Sequence, residues 1–407
     1  MKRRVVITGI GVIAPNGIGK ENFWNALKEG KSGIKKISLF DASELPVQIA
    51  GEVSNFRPEE FIEDRKKIRR MARFSQFAVA AAKMAIEDAG LNLQNGKNMG
   101  IFIGTSTSAM DLIEKEFLKL IKYKGRNIIP YGIIAASPTA AALKIKDFFR
   151  IKVSEVSTNI SDCRGGLEAV CEGVEKILSN EVDICLCGGV DACLTPLIYT
   201  GFFNMGLLCK MNNPEKASRP FDKYRSGGVI SEGCGVVILE SYENAIMRKA
   251  RIYGEIYGYG KYFENNGENL EDGLYNSIKI AFEKSNLKKE SINYISAHAP
   301  SDVELDRGET FALKKFFGDR AYFIPVSSIK SMIGNPLAAG GILQLISSLM
   351  TINTGIIPPT INYEYPDPDC DLDYVPNFSR YMKVEKILIN SHSFGEANTS
   401  LIIGKIR

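Results

Sequence analysis

Apolar residues fall in two rhythms along this chain. Short β-branched runs at Val5 to Thr8, Met99 to Gly104, Val182 to Cys187 and Gly235 to Leu239 predict strands, and helical spacing over Arg73 to Ala89 and Gly166 to Ser179 predicts helices. The same grammar then returns. Arg251 to Tyr259, Ile292 to Ala297, Lys386 to Asn390 and Ser400 to Gly404 predict strands, while Asp272 to Ser285 and Gly340 to Met350 predict helices. Strands that alternate with helices over this length predict an α/β architecture. The chain divides near residue 250 into halves 1–250 and 251–407, with no low-complexity linker between them. In each half a strand runs into a turn of small residues that carries a reactive side chain: Cys163 in the first, and His298 after Ile295-Ser296-Ala297 in the second.

Composition adds exclusions. The 407 residues are 45% hydrophobic and 24% charged, enough for a large core. A net charge of +4 is too mild to point to nucleic acid. Met1-Lys2-Arg3-Arg4 is followed only by Val5-Val6-Ile7 before Thr8-Gly9, so no signal-peptide core is expected, and nothing later approaches the ~18 apolar residues of a membrane span. The eight cysteines (Cys163, Cys171, Cys185, Cys187, Cys193, Cys209, Cys234 and Cys370) lie in apolar stretches without the spacing of a disulfide framework, which predicts a reducing, cytoplasmic setting.

Candidate chemistry centres on Cys163. It stands where a β-rich run ending in Ser157-Thr158-Asn159 stops and a helix begins, so unpaired N–H groups and the positive end of the helix dipole favour its thiolate. A thiolate nucleophile needs a partner, and the chain has only two histidines, His298 and His392. His298 emerges directly after a strand, where loops present catalytic groups. Two further clusters are polar: Val326 to Pro336, which holds Lys330 and Asn335 ahead of the small residues Ala338-Ala339-Gly340-Gly341, and Asn390 to Asn398, a turn between two apolar strands. Two other motifs favour packing over ligands. Gly9-Ile10-Gly11-Val12-Ile13-Ala14 has the spacing of a dinucleotide fingerprint, but Pro15-Asn16-Gly17 interrupts the helix that would hold the phosphate. Cys185-Leu186-Cys187 with Cys193 has no adjacent histidine and reads as packed thiols, so no metal is expected.

Taken in this order and spacing, the four clusters resemble the β-ketoacyl-acyl-carrier-protein synthases, most closely the elongating synthase II type of the thiolase superfamily. Arg4 to Gly11, Cys187-Gly188-Gly189-Val190-Asp191, Ala217 to Asp222 and Ile357 to Asn362 agree, so the resemblance covers essentially the full length. It implies a thiolase-like fold of two similar α/β halves in five layers, α-β-α-β-α. It implies that Cys163 accepts the acyl group, that His298 is the first catalytic histidine, that Lys330 is the family lysine, and that Asp306 and Glu309 support the site. The backbone N–H groups of Cys163 and Phe394 match the oxyanion-hole positions. The implied reaction is a decarboxylative Claisen condensation with malonyl carrier protein, in fatty-acid, polyketide or specialised-lipid synthesis, and needs no cofactor beyond the phosphopantetheine of acyl carrier protein. A homodimer is implied, and a heterodimer with a related subunit stays open. For docking of an acidic carrier protein the resemblance points to Arg65, Lys66, Lys67, Arg69, Arg70 and Arg73, with Lys124, Arg126 and Lys210.

The chain departs from that pattern at the site. Asn335 stands where the elongating family has its second histidine; it keeps an NH₂ donor but cannot hold a proton. A Cys-His-Asn set is what the related priming synthases use. Ala299-Pro300-Ser301-Asp302 removes two threonine hydroxyls that meet the pantetheine arm, and Asp302 sets a negative charge against a malonyl carboxylate. Beside the nucleophile, Asp162 disfavours the thiolate and Arg164 favours it if both point inward. Ser393 and Glu396 replace glycines of a gating loop, and His392 falls close enough to substitute in part for the missing histidine. A non-decarboxylating acyltransferase and a non-catalytic, chain-length-setting subunit are the alternatives; retained Cys163, His298 and Lys330 speak against the latter.

Overall fold

The computed structural model describes residues 3–93, 98–393 and 396–406. Among the described residues ten strands form the continuous path of one mixed sheet, to which the short strand Gly17–Ile18 adds against the end of the first: β1 (Val5–Ala14), β2 (Met99–Gly104), β3 (Val153–Asn159), β4 (Ile184–Asp191), β5 (Gly233–Ser241), β6 (Gly254–Phe263), β7 (Tyr294–Ser296), β8 (Val326–Ser327), β9 (Lys386–His392) and β10 (Ala397–Gly404). The helices that cover its faces include α1 (Arg73–Asp88), α2 (Ala140–Phe149), α3 (Gly165–Leu178), α4 (Leu270–Ser285), α5 (Val303–Phe317) and α6 (Ala338–Thr354).

The order of strands is β8-β7-β9-β10-β6-β1-β5-β4-β2-β3. The first five strands therefore lie as 3-2-4-5-1, and adding five to each gives the order of the second five. Parallel and antiparallel pairings repeat as well. β2 runs parallel to β3 and β4 while β5 is antiparallel to β4 and β1; β7 runs parallel to β8 and β9 while β10 is antiparallel to β9 and β6. Each half reads βαβαβαββ, and the two join where Val5–Ile7 of β1 pair with Gly254–Ile256 of β6. The helices α3 and α6 pack together between the two half-sheets, with α1 and α2 outside the first and α4 and α5 outside the second. That is five layers.

This symmetry changes the equivalence expected from the sequence. Cys163 follows β3 and precedes α3, so its counterpart is the segment after β8 and before α6, which carries Lys330 and Asn335. His298 follows β7, whose counterpart is β2.

Glycines explain how the layers close. The fingerprint-like Gly9 and Gly11 lie inside β1, which runs on through Ala14, so no helix opens behind them. A Cβ at either would run into the carbonyl oxygens of Ala85 and Ala81 on α1, and one at Gly258 or Gly260 of β6 into those of Ala281 and Ser277 on α4. Both pairs let a helix backbone lie against a strand. The cysteine-rich stretch is β4, its thiols wholly buried, and among the described residues no group of three His, Cys, Asp or Glu could hold a metal.

Several boundaries differ from expectation. β6 starts at Gly254 and reaches Phe263, and α6 starts at Ala338. The polar turn over 390–398 is shorter than its sequence suggests, because His392 and Asn398 are already paired across β9 and β10.

Candidate active site

Four chain segments converge between the half-sheets, at the ends of α3 and α6. Cys163 sits in a 3-10 turn, Asp162–Arg164, directly ahead of α3 and is buried. Asp162 takes a positive φ of 46° to make that turn. From the opposite segment the Asn335 Nδ2 reaches the Cys163 Sγ at 3.8 Å. Asn335 is held by its backbone, whose N–H donates to the Val229 carbonyl at 2.7 Å and whose carbonyl accepts from the Ser231 N–H at 3.0 Å. Its Oδ1 has no hydrogen-bond partner among the described residues.

His298 is buried behind them. Its Nδ1 faces the Lys330 Nζ at 3.3 Å and the His392 backbone N–H at 3.5 Å. Both neighbours are donors, so Nδ1 is the acceptor and the ring proton belongs on Nε2. Lys330 is also buried and donates to the His298 carbonyl at 2.5 Å and to the Gln344 Oε1 at 3.3 Å. The two histidine rings lie with centroids 3.9 Å apart, their planes tilted 45° to each other.

The turn that carries His298 is fixed by two buried acids of α5. Glu309 accepts the backbone N–H groups of His298 at 3.2 Å and Ala299 at 2.9 Å and the Asn390 amide at 3.0 Å. Asp306 accepts the Phe221 N–H at 2.9 Å and the Ser301 N–H at 3.2 Å, and Arg225 stands 3.7 Å away. Asp191, at the end of β4, binds Ser106, Thr107 and the Ala338 N–H, which pins the start of α6 beside the nucleophile.

Electrostatics follow from dryness. Burial pushes the Cys163 thiol up to about 12, against the pull of Lys330 and the Asn335 hydrogen bond. Burial lowers Lys330 to about 8. Burial, then His392 and Lys330, hold His298 well below its usual range, and burial brings His392 down to about 3, so both rings are neutral near pH 7. Burial raises Asp306 to about 8 although Arg225 opposes it, and raises Glu309 as well. A thiol in such a site does not ionise by the helix terminus alone.

Three expectations need correction. Arg164 is buried, but it pairs with Glu168 at 2.5 Å and is absent from the groups that act on Cys163, whereas Asp162 is exposed and still raises the thiol. Asp302 caps α5, its carboxylate accepting the Glu304 and Leu305 N–H groups, each at 3.0 Å, so its charge meets the helix dipole. It lines a narrow slot with Phe202, Leu208, Pro300 and Leu337 that has Asn335 on its wall. Arg73 is half-buried and bound to Glu232, so it leaves the basic surface, while Arg65, Lys66, Lys67, Arg69, Arg70, Lys124, Arg126 and Lys210 are exposed. Phe394 lies outside the described residues. Gln344 was not anticipated; the one amide side chain in the buried stretch of α6 was its only signal.

The chain matches known proteins along its length. A family model described as Beta-ketoacyl synthase, N-terminal domain matches residues 2–245, and one described as Beta-ketoacyl synthase, C-terminal domain matches residues 253–364. The chain is 39% identical over 412 residues to 3-oxoacyl-[acyl-carrier-protein] synthase 2 of Coxiella burnetii, covering 100% of this chain and 99% of that protein. It is 35% identical to the tetracenomycin polyketide synthase ketoacyl synthase alpha subunit of Streptomyces glaucescens, covering 99% and 97% of the two. Among solved structures, the ishigamide ketosynthase/chain length factor matches with a TM-score of 0.94 at 33% identity over 100% of both chains. A type II PKS acyl-carrier protein in complex with its ketosynthase bound to the hexaketide matches with a TM-score of 0.90 at 32% identity, again over 100% of both chains.

Proposed function

The chain belongs to the β-ketoacyl synthase family and is an acyltransferase of the condensing type, and from that premise we propose a decarboxylative Claisen condensation in which Cys163, His298, Asn335 and Lys330 are the working residues. The carrying observation is the approach of the Asn335 amide to the Cys163 thiol, with Lys330, whose charge acts on that thiol, joined to the Nε2-protonated His298.

In the first step the Cys163 Sγ attacks the thioester of an acyl carrier protein. A carbon–sulfur bond forms to Sγ, the pantetheine carbon–sulfur bond breaks, and the thiol proton passes to the departing thiolate. The charge of Lys330 and the Asn335 N–H offset part of the burial that opposes ionisation. In the second step a malonyl thioester loses its carboxylate as carbon dioxide, and the bonding pair becomes an enolate. Its oxygen is met by the His298 Nε2–H and the Asn335 Nδ2. The carboxylate is already ionised, so this step requires donors and no base, which is why an asparagine serves. The enolate carbon then attacks the acyl group; the tetrahedral oxyanion sits against the backbone N–H of Cys163, and collapse releases the Cys163 thiolate. Asp306 and Glu309 act by holding the turn of His298.

The slot beside Pro300 and Asp302 is the path of the pantetheine arm. Exposed Arg65, Lys66, Arg69 and Arg70, with Lys124, Arg126 and Lys210, form the docking charges for an acidic carrier protein. The halves 1–250 and 251–407 act as one unit because the site draws on both. A homodimer is supported by Ile133, Ile134 and Ile160, which are 90%, 71% and 63% exposed, Ile160 lying at the end of the edge strand β3. A cytoplasmic setting is supported by eight free, buried cysteines, and among the described residues no helix is long and apolar enough to cross a membrane. With acyl carrier protein and malonyl carrier protein supplied, the protein is expected to release a 3-oxoacyl carrier protein, and Cys163→Ala to release none; product formation at an equal rate by that variant refutes the proposal.

A further inference from the structure

Gln344 lies on α6, wholly buried beneath the site. Its Nε2 donates to three backbone carbonyls, those of Ser296 at 3.2 Å, Ala297 at 2.8 Å and Asn390 at 3.2 Å. Three carbonyl oxygens need a donor, so the NH₂ faces them with one of its two hydrogens shared, the orientation of the amide is fixed and Oε1 faces the Lys330 Nζ at 3.3 Å. The other partners of Nζ are the carbonyl and Nδ1 of His298. Among the described residues no carboxylate oxygen forms an ion pair with it.

We propose that Gln344 is a positioning residue that sets the charge of Lys330, presenting a neutral oxygen at the point where a carboxylate would hold the ammonium permanently. The groups around Lys330 are Cys163 ahead of α3, His298 after β7, His392 on β9, Glu309 and Asp306 on α5, and the neutral Gln344 on α6. The two histidines are neutral, and the nearest acids are occupied with backbone N–H groups. An ammonium in that setting gives up its proton close to neutral pH, in keeping with its lowered pKa of about 8. Lys330 then supports the Cys163 thiolate in a pH-dependent way. This rests on Cys163 being the nucleophile.

The test is the pH profile of Cys163 alkylation by iodoacetamide, read as the mass of the Cys163 peptide, in the wild type, Gln344→Glu and Gln344→Met. In the wild type the rate is expected to rise about tenfold per pH unit and to level off near pH 8, where Lys330 loses its charge. Gln344→Glu moves the levelling point up by about 1–3 pH units, the range for a carboxylate placed against a cation. Gln344→Met removes the acceptor and moves it down. A disturbance of packing alone would change the rate without opposite shifts. A levelling point that stays in place in both folded variants, checked by thermal melting, overturns the proposal. Opposite shifts with no transfer from acyl carrier protein at any pH leave the role of Gln344 intact and overturn the proposed function instead.

Discussion

Replacement of Asn335 by alanine separates the two halves of the proposed reaction. The Asn335 backbone is tied to Val229 and Ser231 at 2.7 and 3.0 Å, so removal of the side chain leaves the turn in place and deletes one donor. In condensation that donor faces the enolate oxygen, and the loss of such a donor costs about 100- to 1000-fold, roughly 2.7–4 kcal/mol. In loading it makes a long contact to the Cys163 Sγ at 3.8 Å, which eases ionisation less than the charge of Lys330 does. A hydrogen bond of ordinary strength is worth about 0.5–1.5 kcal/mol, or roughly 2- to 10-fold in rate. Single-turnover rapid quench reads both: the mass of acylated Cys163 for loading, and carbon dioxide from the pre-acylated enzyme for condensation. Asn335→Ala is expected to slow condensation about 100- to 1000-fold and loading at most about tenfold, and Asn335→His to recover most of the condensation. Equal losses in both steps, or condensation at the wild-type rate in Asn335→Ala, would refute the reasoning.

Three further outcomes follow from the same structure. His392 is buried with a pKa brought down to about 3 from 6.5, so the unfolded chain binds a proton that the folded one refuses; stability is full above pH 6.5 and is lost as pH falls toward 3. Urea unfolding at pH 7.5 and pH 5 should show His392→Phe gaining roughly 2 kcal/mol on the wild type between the two, and a constant difference would show that His392 is not held neutral. Gly11→Ala should lower the melting temperature sharply, by about 1–3 kcal/mol of stability, because its Cβ meets the Ala81 carbonyl; an unchanged melt would mean that α1 is free to move off β1. Reversal of Arg65, Lys66, Arg69 and Arg70 to glutamate should raise KM for acyl carrier protein with little change in kcat and weaken its salt dependence. A kcat loss with KM unchanged would place carrier docking elsewhere.

Much of this was legible in the sequence because the reactive residues sit at strand ends, where periodicity breaks. Cys163 is marked by a β-run that stops and a helix that starts, and His298 by a short apolar strand before it. The helices α2 and α5 were not predicted: α5 reads Val303-Glu304-Leu305-Asp306-Arg307-Gly308-Glu309, and its two buried acids look like solvated charge until the turn they hold is seen. Gln344 is hidden for the opposite reason, as the one amide side chain within a helix stretch buried from Ala338 to Ile352. Direction also escapes a sequence. Arg164 reads as a cation beside the thiol, yet Glu168 one helical turn away has taken it up. The glycines of β1 mimic a phosphate loop because a close helix and a close phosphate both forbid a Cβ.

The central claim is that Cys163 carries the acyl group that a decarboxylated malonyl unit attacks. Acyl carrier protein is added first and malonyl carrier protein second, while the mass of the Cys163 peptide and the release of carbon dioxide are followed together. The acyl mass is expected to appear on Cys163 and then to disappear in step with carbon dioxide and a 3-oxoacyl product, one for one. Acylated Cys163 with no carbon dioxide, or no acylation at all, would contradict it.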